Sequence, residues 1–94
     1  MRLHEAIRRF RVFLQARGDT ALGTVKYTLH LFCTWSEAQG VTGLDQLNHD
    51  LFLDYQRELT FRLNQAGRPI SIATQLRHLY VLRAFTQYLV SCDF

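Results

Sequence analysis

Glycine and proline divide the chain into four stretches of helical length. The dividing positions are Gly18, the segment 40–43 and the turn at 67–69. Glycine just after a helix and proline just before one are common stop and start signals. No alternating two-residue period and no Asn-Gly hairpin turn competes with them. The sequence therefore predicts an all-α domain whose four helices span about 3–17, 21–39, 49–66 and 71–91.

Apolar residues at intervals of three and four predict one buried face for each helix. The predicted core residues, helix by helix, are Leu3, Ile7, Phe10 and Leu14; Val25, Leu29, Phe32, Trp35 and Ser36; Leu51, Tyr55, Leu59 and Leu63; and Ile72, Leu76, Leu79, Phe85 and Leu89. From Leu79 to Val90 the fourth helix is apolar around nearly its whole circumference, which predicts that this half is either the central helix of the bundle or docks on something absent from this chain. Arg83 shares the inward phase of this helix, so we expect it to pair with an acid such as Glu58 or Asp54.

Length and composition bound the class of protein. The 94 residues suffice for one hydrophobic core, and 48% apolar with 20% charged residues is typical of a globular domain. No apolar run approaches the roughly 20 residues of a membrane span, and the arginine-rich start lacks the pattern of an export signal. Cys33 and Cys92 lie far apart without metal-ligand spacing, which predicts free thiols. We therefore expect a single cytoplasmic domain with no membrane contact.

Charge is unevenly distributed along the chain. Residues 1–18 contain five arginines and one glutamate, and residues 68–92 contain three arginines and no acid. Residues 44–66, in contrast, contain four acids and two arginines. A basic side opposite an acidic one suits a protein that binds a polyanion. On charge alone, solvated helix faces with a chance asymmetry are the simpler interpretation.

Common enzyme motifs and metal-ligand motifs are absent from the sequence. There is no glycine-rich phosphate loop, no GxSxG and no HExxH. His30 and Cys33 lie three residues apart, which is at most half of a metal site. Asp50, Asp54 and Glu58 form an acidic stripe of the kind usually found on solvated helix surfaces. The sequence therefore predicts no catalysis by this chain, no metal and no cofactor.

The fourth predicted helix carries a spaced pattern of threonine, leucine, arginine and aromatic residues. Its members are Thr74, Leu79, Leu82, Arg83, Phe85, Tyr88 and Leu89. This pattern resembles the last long helix of the core-binding domain of tyrosine recombinases, the family that includes Xer recombinases and phage integrases. The resemblance is carried by the spacing of these residues as well as by their types.

Three earlier phrases resemble the same family in the same order. The segment 13–18 is similar to the "FL…RG" phrase that ends the first helix of the family. The second helix is similar in Thr24, Tyr27, Phe32, Trp35 and Gly40. The segment from Asp50 to Arg68 is similar to a tyrosine-containing helix that follows an acid and ends in a basic glycine turn. The resemblance thus covers nearly the whole chain.

The resemblance implies an orthogonal four-helix bundle of the SAM-like type that clamps double-stranded DNA. In that family a separate C-terminal domain supplies the catalytic arginine, a His-x-x-Arg pair and a tyrosine nucleophile. Here Val81 stands three residues after His78, so the pair is absent. We therefore expect residues 1–94 to be the non-catalytic DNA-binding domain of a site-specific recombinase or integrase, with the catalytic domain of the same parent protein as a partner. Val12, Val81 and Tyr88 suggest self-association on DNA.

In the family the second and fourth helices lie against the major groove. Carried over by position, the resemblance nominates as DNA-binding residues Thr24, Lys26, Tyr27, Arg68, Ser71, Thr74, Gln75, Arg77 and His78. Cations neutralise phosphate, hydroxyl groups bond to its oxygens, and arginine or glutamine reads base edges. Free N–H groups at the start of the fourth helix also suit a phosphate. Structural roles remain open for Ser71 and Thr74 as caps and for Tyr27 as partly packed core.

A small helical protein–protein interaction module without DNA binding is the alternative. It predicts a contiguous exposed apolar patch of several hundred Å² and no salt-sensitive DNA binding. A helix-turn-helix repressor is disfavoured, because no short helix pair with a tight turn is present in the pattern.

Overall fold

Four α-helices make up the domain. The computed structural model describes residues 1–18, 22–64 and 66–92. The helices are α1 (Leu3–Ala16), α2 (Leu22–Ala38), α3 (His49–Phe61) and α4 (Ile72–Ser91), with a short 3-10 helix (Leu44–Gln46) between α2 and α3. The described part of the chain contains no strand, so the predicted all-α fold is confirmed. Within it, no helix combines the length and the apolar character needed to cross a membrane.

Side-chain and glycine caps fix the ends of three helices. The Asn48 side chain accepts a hydrogen bond of 2.8 Å from the backbone N–H of Leu51, and so begins α3. The Ser71 hydroxyl does the same for α4. Beyond the end of α2, Gly40 adopts a φ of +82°. The Val41 N–H donates to the Ser36 carbonyl at 2.9 Å, which closes a Schellman motif.

Two aromatic groups join the helices. The ring of Phe10 on α1 lies 5.5 Å from that of Phe85 and 5.2 Å from that of Tyr88, both on α4. The ring of Phe32 on α2 lies 5.0 Å from that of Tyr55 on α3. The buried apolar core comprises Leu3, Ala6, Ile7, Phe10, Leu14, Leu29, Phe32, Leu51, Tyr55, Leu59, Val81, Leu82, Phe85 and Leu89, with Val25, Trp35 and Leu79 partly buried against it. Most of the predicted core is thereby confirmed.

The start of the chain is held by the loop between α2 and α3. The Leu3 N–H donates to the Thr42 carbonyl at 2.8 Å, and the Leu44 N–H donates to the Met1 carbonyl at 3.0 Å. Arg2 and Gly43 lie between these bonds as an antiparallel bridge. The first turn of α1 therefore has a backbone partner that lies some forty residues away in the sequence.

The third helix ends at Phe61, and the prediction that it continues to residue 66 is wrong. Arg62 leaves the helix with a ψ of 137°. Its carbonyl accepts a bond of 3.1 Å from the Ile70 N–H, and Leu63 and Pro69 form an antiparallel bridge. This pairing takes the backbone out of the helix after Phe61. Leu63, predicted to be buried, is consequently 58% exposed.

The first half of α4 presents a different face to the core from the predicted one. Ile72 is 75% exposed and Leu76 is 60% exposed, whereas His78 is only 5% exposed. His78 lies seven residues before the buried Phe85, and Thr74 lies four residues before His78, so the three side chains share one face of the helix. Thr74 is half-buried on this face. The well-packed second half thus sets the phase of the first half. The prediction that His78 points outward is therefore wrong.

One further prediction for α4 is wrong, and one of two alternatives for its second half is excluded. Arg83 is exposed, and the acids proposed as its partners bind arginines of their own: Asp54 lies 3.2 Å from Arg57, and Glu58 lies 3.9 Å from Arg62. Spacings of three and four residues on α3 bring these pairs together more directly than α4 does. The second half of α4 is not the fully buried central helix of the bundle, because Tyr80 and Val90 are exposed.

The three residues suggested for self-association differ in their placement. Val12 is exposed, Tyr88 is half-buried and Val81 lies in the core. Only Val12 presents the open apolar side chain that this suggestion needs. Val81 is covered because it follows His78 by one helical turn on the inner face of α4.

Candidate nucleic-acid interface

A cleft of about 930 Å³ opens where the chain between α3 and α4 meets α2. Its lining residues are Tyr27, Leu31, Arg62, Leu63, Asn64, Ala66, Arg68, Pro69, Ile70, Ser71, Thr74 and His78. We call it the turn cleft. Five of the nine nominated DNA-binding residues line it, namely Tyr27, Arg68, Ser71, Thr74 and His78. Residues from two helices and a turn thus meet in one place.

Asn64 fixes the backbone that carries Arg68. Its side-chain oxygen accepts hydrogen bonds from the N–H groups of Ala66 at 2.9 Å and Arg68 at 3.1 Å. Its own N–H donates to the Arg68 carbonyl at 2.7 Å, and Gly67 completes the turn with a φ of +76°. Glycine favours this left-handed conformation because it has no Cβ. The Arg68 side chain extends from this turn and is exposed.

The polar residues at the start of α4 bond to one another. The Ser71 oxygen accepts from the Thr74 N–H at 3.1 Å, and its hydroxyl lies 3.0 Å from the Thr74 hydroxyl. The Gln75 amide donates to the Ile70 carbonyl at 3.2 Å. These residues therefore have structural roles as caps. Ser71 remains exposed, whereas Thr74 and Gln75 are half-buried.

Buried polar atoms lie beneath the turn cleft. Arg62 Nε and His78 Nδ1 are inaccessible to solvent and have no hydrogen-bond partner within the described residues. Burial, followed by the charges of Arg62 and Arg77, holds the pKa of His78 below its ordinary value. His78 is thus favoured in its neutral form. Sequence reasoning missed Arg62, because the predicted third helix included it beside Glu58.

A second groove lies between α1, α2 and the middle of α4. It has a volume of about 490 Å³, and its polar lining comes from Arg17, Thr24 and Arg77. Its floor is apolar, with Phe10 and Val81 among the lining residues. Both Thr24 and Arg77 are exposed, as the sequence predicts for residues that contact DNA.

A third, smaller cleft of about 300 Å³ separates α1 from α2 and contains the remaining nominated cation. Arg8, Arg11 and Lys26 line it, together with Gly23. The sequence shows the positive charge of α1, but the family resemblance does not nominate Arg8 or Arg11. Their three-residue spacing, which places both on one helix face, was the available signal.

Neither aspartate nor glutamate lines any of these three clefts within the described residues. Those residues also contain no cluster of three His, Cys, Asp or Glu side chains able to hold a metal ion. The side of the domain formed by α2 and the start of α4 is therefore basic, and its chemistry is that of anion binding.

No protein-family model, no curated protein and no solved structure matches the chain.

Proposed function

We propose that the chain is the DNA-binding, core-binding domain of a site-specific tyrosine recombinase or integrase, which holds duplex DNA without performing catalysis. One observation carries the DNA-binding part of this proposal. The cations Lys26, Arg68 and Arg77 line three clefts, each of which includes residues of α2 and contains no acid among the described residues. The spaced residues of α4 that resemble the recombinase family support the narrower assignment.

Binding would rely mainly on contacts to phosphate. Lys26 on α2, Arg68 on the turn and Arg77 on α4 are all exposed and lie on separate elements. Three cations set apart in this way contact several phosphates rather than one, which fixes the orientation of the duplex. Tyr27, which is exposed beside Lys26, supplies a ring and a hydroxyl to the same surface. Base contacts would add a smaller preference for sequence.

The test is fluorescence anisotropy with a duplex of about 30 base pairs, at salt concentrations from about 50 to 200 mM. The double variant Arg68→Ala, Arg77→Ala is compared with Arg57→Ala. Arg57 is a suitable control because its side chain is 75% exposed on α3 and pairs with Asp54, outside the three clefts. We expect log K to fall linearly with log salt in the unaltered protein.

The double variant should bind more weakly at every salt concentration. Its slope of log K against log salt should be shallower by about two, since each phosphate contact contributes about 0.9. Arg57→Ala should change neither quantity by a comparable amount. Absence of binding at about 50 mM salt, or equal losses in the control and the double variant, contradicts the proposal.

A protein-interaction module is the second candidate, because α4 exposes apolar side chains. Ile72, Leu76, Tyr80 and Val90 are each at least 60% exposed. A partner that covers this face would remove apolar area from water. Sedimentation velocity of the unaltered protein and of Leu76→Glu tests the simplest case, a second copy. Association that the substitution abolishes, without DNA binding, favours this candidate.

A further inference from the structure

Two polar groups of the turn cleft have been removed from water without a replacement partner. His78 is only 5% exposed, so it is more than nine-tenths buried, and its Nδ1 atom makes no hydrogen bond to the described residues. The Nε atom of Arg62 is also buried and makes no hydrogen bond to the described residues. Native proteins rarely leave such groups unsatisfied, and the exceptions often mark a position that a ligand occupies.

The charges around His78 favour a negatively charged ligand. Arg62 acts on it from the end of α3, and Arg77 acts on it from its own helix. From α2, Tyr27 faces the same cleft, and Arg68 lines the cleft from the turn. Among the described residues, Glu58 is an acid that pairs with Arg62, at 3.9 Å, and it does not line the cleft.

The start of α4 adds donors at the same place. The first N–H groups of a helix have no intrahelical acceptor, and they attract anions. Ser71, which begins α4, lines the cleft beside Arg68. Cationic side chains, a helix N-terminus and a buried histidine whose Nδ1 atom has no partner among the described residues therefore converge on one cleft.

We propose that the turn cleft binds one tetrahedral oxyanion, a phosphate or sulfate group, between Arg62, Arg68 and the start of α4, and that His78 takes up a proton when the anion binds. The phosphate group belongs either to DNA, in which case the inference extends the proposed function, or to a free ion.

The proton uptake follows from electrostatics. Without the anion, burial and two arginines disfavour the imidazolium form of His78 and hold its pKa below the ordinary value. A bound anion, whether the sulfate dianion or a DNA phosphodiester with its single negative charge, offsets the arginine charges and stabilises the imidazolium. Linkage then requires the anion to bind the protonated protein more tightly, by tenfold for each rise of one in the pKa of His78. Affinity should therefore increase as the pH falls.

NMR titration of the histidine ring protons tests this directly. The pKa of each histidine is measured in sodium chloride and in sodium sulfate at equal ionic strength, because sulfate does not itself titrate in this range. His4, His30 and His49 are exposed and serve as controls within the same molecule. We expect the pKa of His78 to rise in sulfate by at least one, with little change in the other three.

Variants separate a specific site from a general salt effect. Arg68→Gln should remove most of the sulfate-induced rise, and Arg57→Gln should preserve it. Arg62→Gln should remove the rise as well. Because Arg62 is partly buried, this variant can fail to fold, and the test then rests on the exposed Arg68. An equal rise for all four histidines, no rise at His78, or full retention of the rise in Arg68→Gln overturns the proposal.

The same titration with a DNA duplex identifies the source of the anion. A rise in the pKa of His78 with DNA in sodium chloride, removed by Arg68→Gln, places a DNA phosphate in the cleft. A rise with sulfate but not with DNA shows a site for a free anion and supports the anion site of the turn cleft. Whether the protein binds DNA is then decided by the anisotropy measurement. Loss of DNA binding in that measurement therefore does not by itself overturn the anion site.

Discussion

Replacing Gly40 with alanine should destabilise the domain, whereas the same replacement at Gly23 should stabilise it. Gly40 follows α2 with a φ of +82°, and its N–H donates to the Glu37 carbonyl at 3.0 Å. Gly23 lies inside α2 and is exposed. A Cβ built at either position meets no atom within 4 Å. Backbone conformation alone therefore distinguishes the two substitutions.

The expected magnitudes follow from this geometry. Alanine in the left-handed conformation costs about 1–2 kcal/mol, and the reduced freedom of the unfolded chain returns about 0.4–1 kcal/mol, so Gly40→Ala should lose about 1 kcal/mol. Gly23→Ala should gain about 0.5 kcal/mol, because alanine is the better helix former. For a domain of this size, 1 kcal/mol corresponds to a change in Tm of about 4–8 °C.

Thermal unfolding followed by circular dichroism measures both variants against the unaltered protein. We expect Gly40→Ala to lower Tm and Gly23→Ala to raise it. Gly40→Asn should fall between Gly40→Ala and the unaltered protein, because asparagine tolerates a positive φ better than alanine does. A shift of both alanine variants in the same direction refutes the assignment of the cost to the Schellman turn.

Two further predictions concern buried groups. The Tyr55 hydroxyl is buried without a partner within the described residues, so Tyr55→Phe should leave the free energy of unfolding in urea unchanged or raise it by about 1 kcal/mol; a loss above about 1.5 kcal/mol reveals a bond that the phenol makes. Burial and then the neighbouring Glu37 raise the pKa of the Cys33 thiol to about 11. Because the thiolate is the reactive form, Cys33 should alkylate slowly at pH 8 and faster as the pH rises toward 11, while the exposed Cys92 reacts first. Mass spectrometry after timed iodoacetamide treatment separates the two, Glu37→Gln should speed the reaction of Cys33, and equal rates for both thiols contradict the argument.

Local signals explain why most helix boundaries could be predicted. Asn48 and Ser71 are cap residues whose side chains satisfy backbone N–H groups nearby in the sequence. Gly40 ends α2 through bonds that span only a few residues. Interactions of this kind are encoded within a single turn of helix, so a pattern read along the chain contains them.

The end of α3 and the phase of α4 depend on contacts that such a pattern does not contain. Leu63 continues the apolar spacing of α3, yet the backbone at 62–63 pairs with residues 69–70 instead. In α4 the apolar pair Ile72 and Leu76 competes with the polar pair Thr74 and His78 for the inner face. Packing of the distant second half of the helix decides that competition.

The candidate site was predicted in part for the same reason. Residues chosen by position on α2 and α4, such as Tyr27 and Thr74, do meet in the turn cleft. The sequence pattern did not indicate Arg62 as a site residue, because Arg62 reaches the cleft only when α3 ends at Phe61. The burial of His78 likewise depends on the phase of α4, and the apolar spacing of Ile72 and Leu76 indicates a different phase from the one that the second half of the helix imposes.

The backbone bonds that tie the first residues to the loop after α2 have a consequence for how the domain opens. Amide hydrogens in the first turn of a helix usually exchange rapidly with solvent, because they lack an intrahelical acceptor. The Leu3 N–H has the Thr42 carbonyl as its acceptor, and its side chain is fully buried. Release of this amide requires the loop to detach and the core to open. The beginning of α1 therefore exchanges with the cooperative unfolding of the domain and not by fraying from its end.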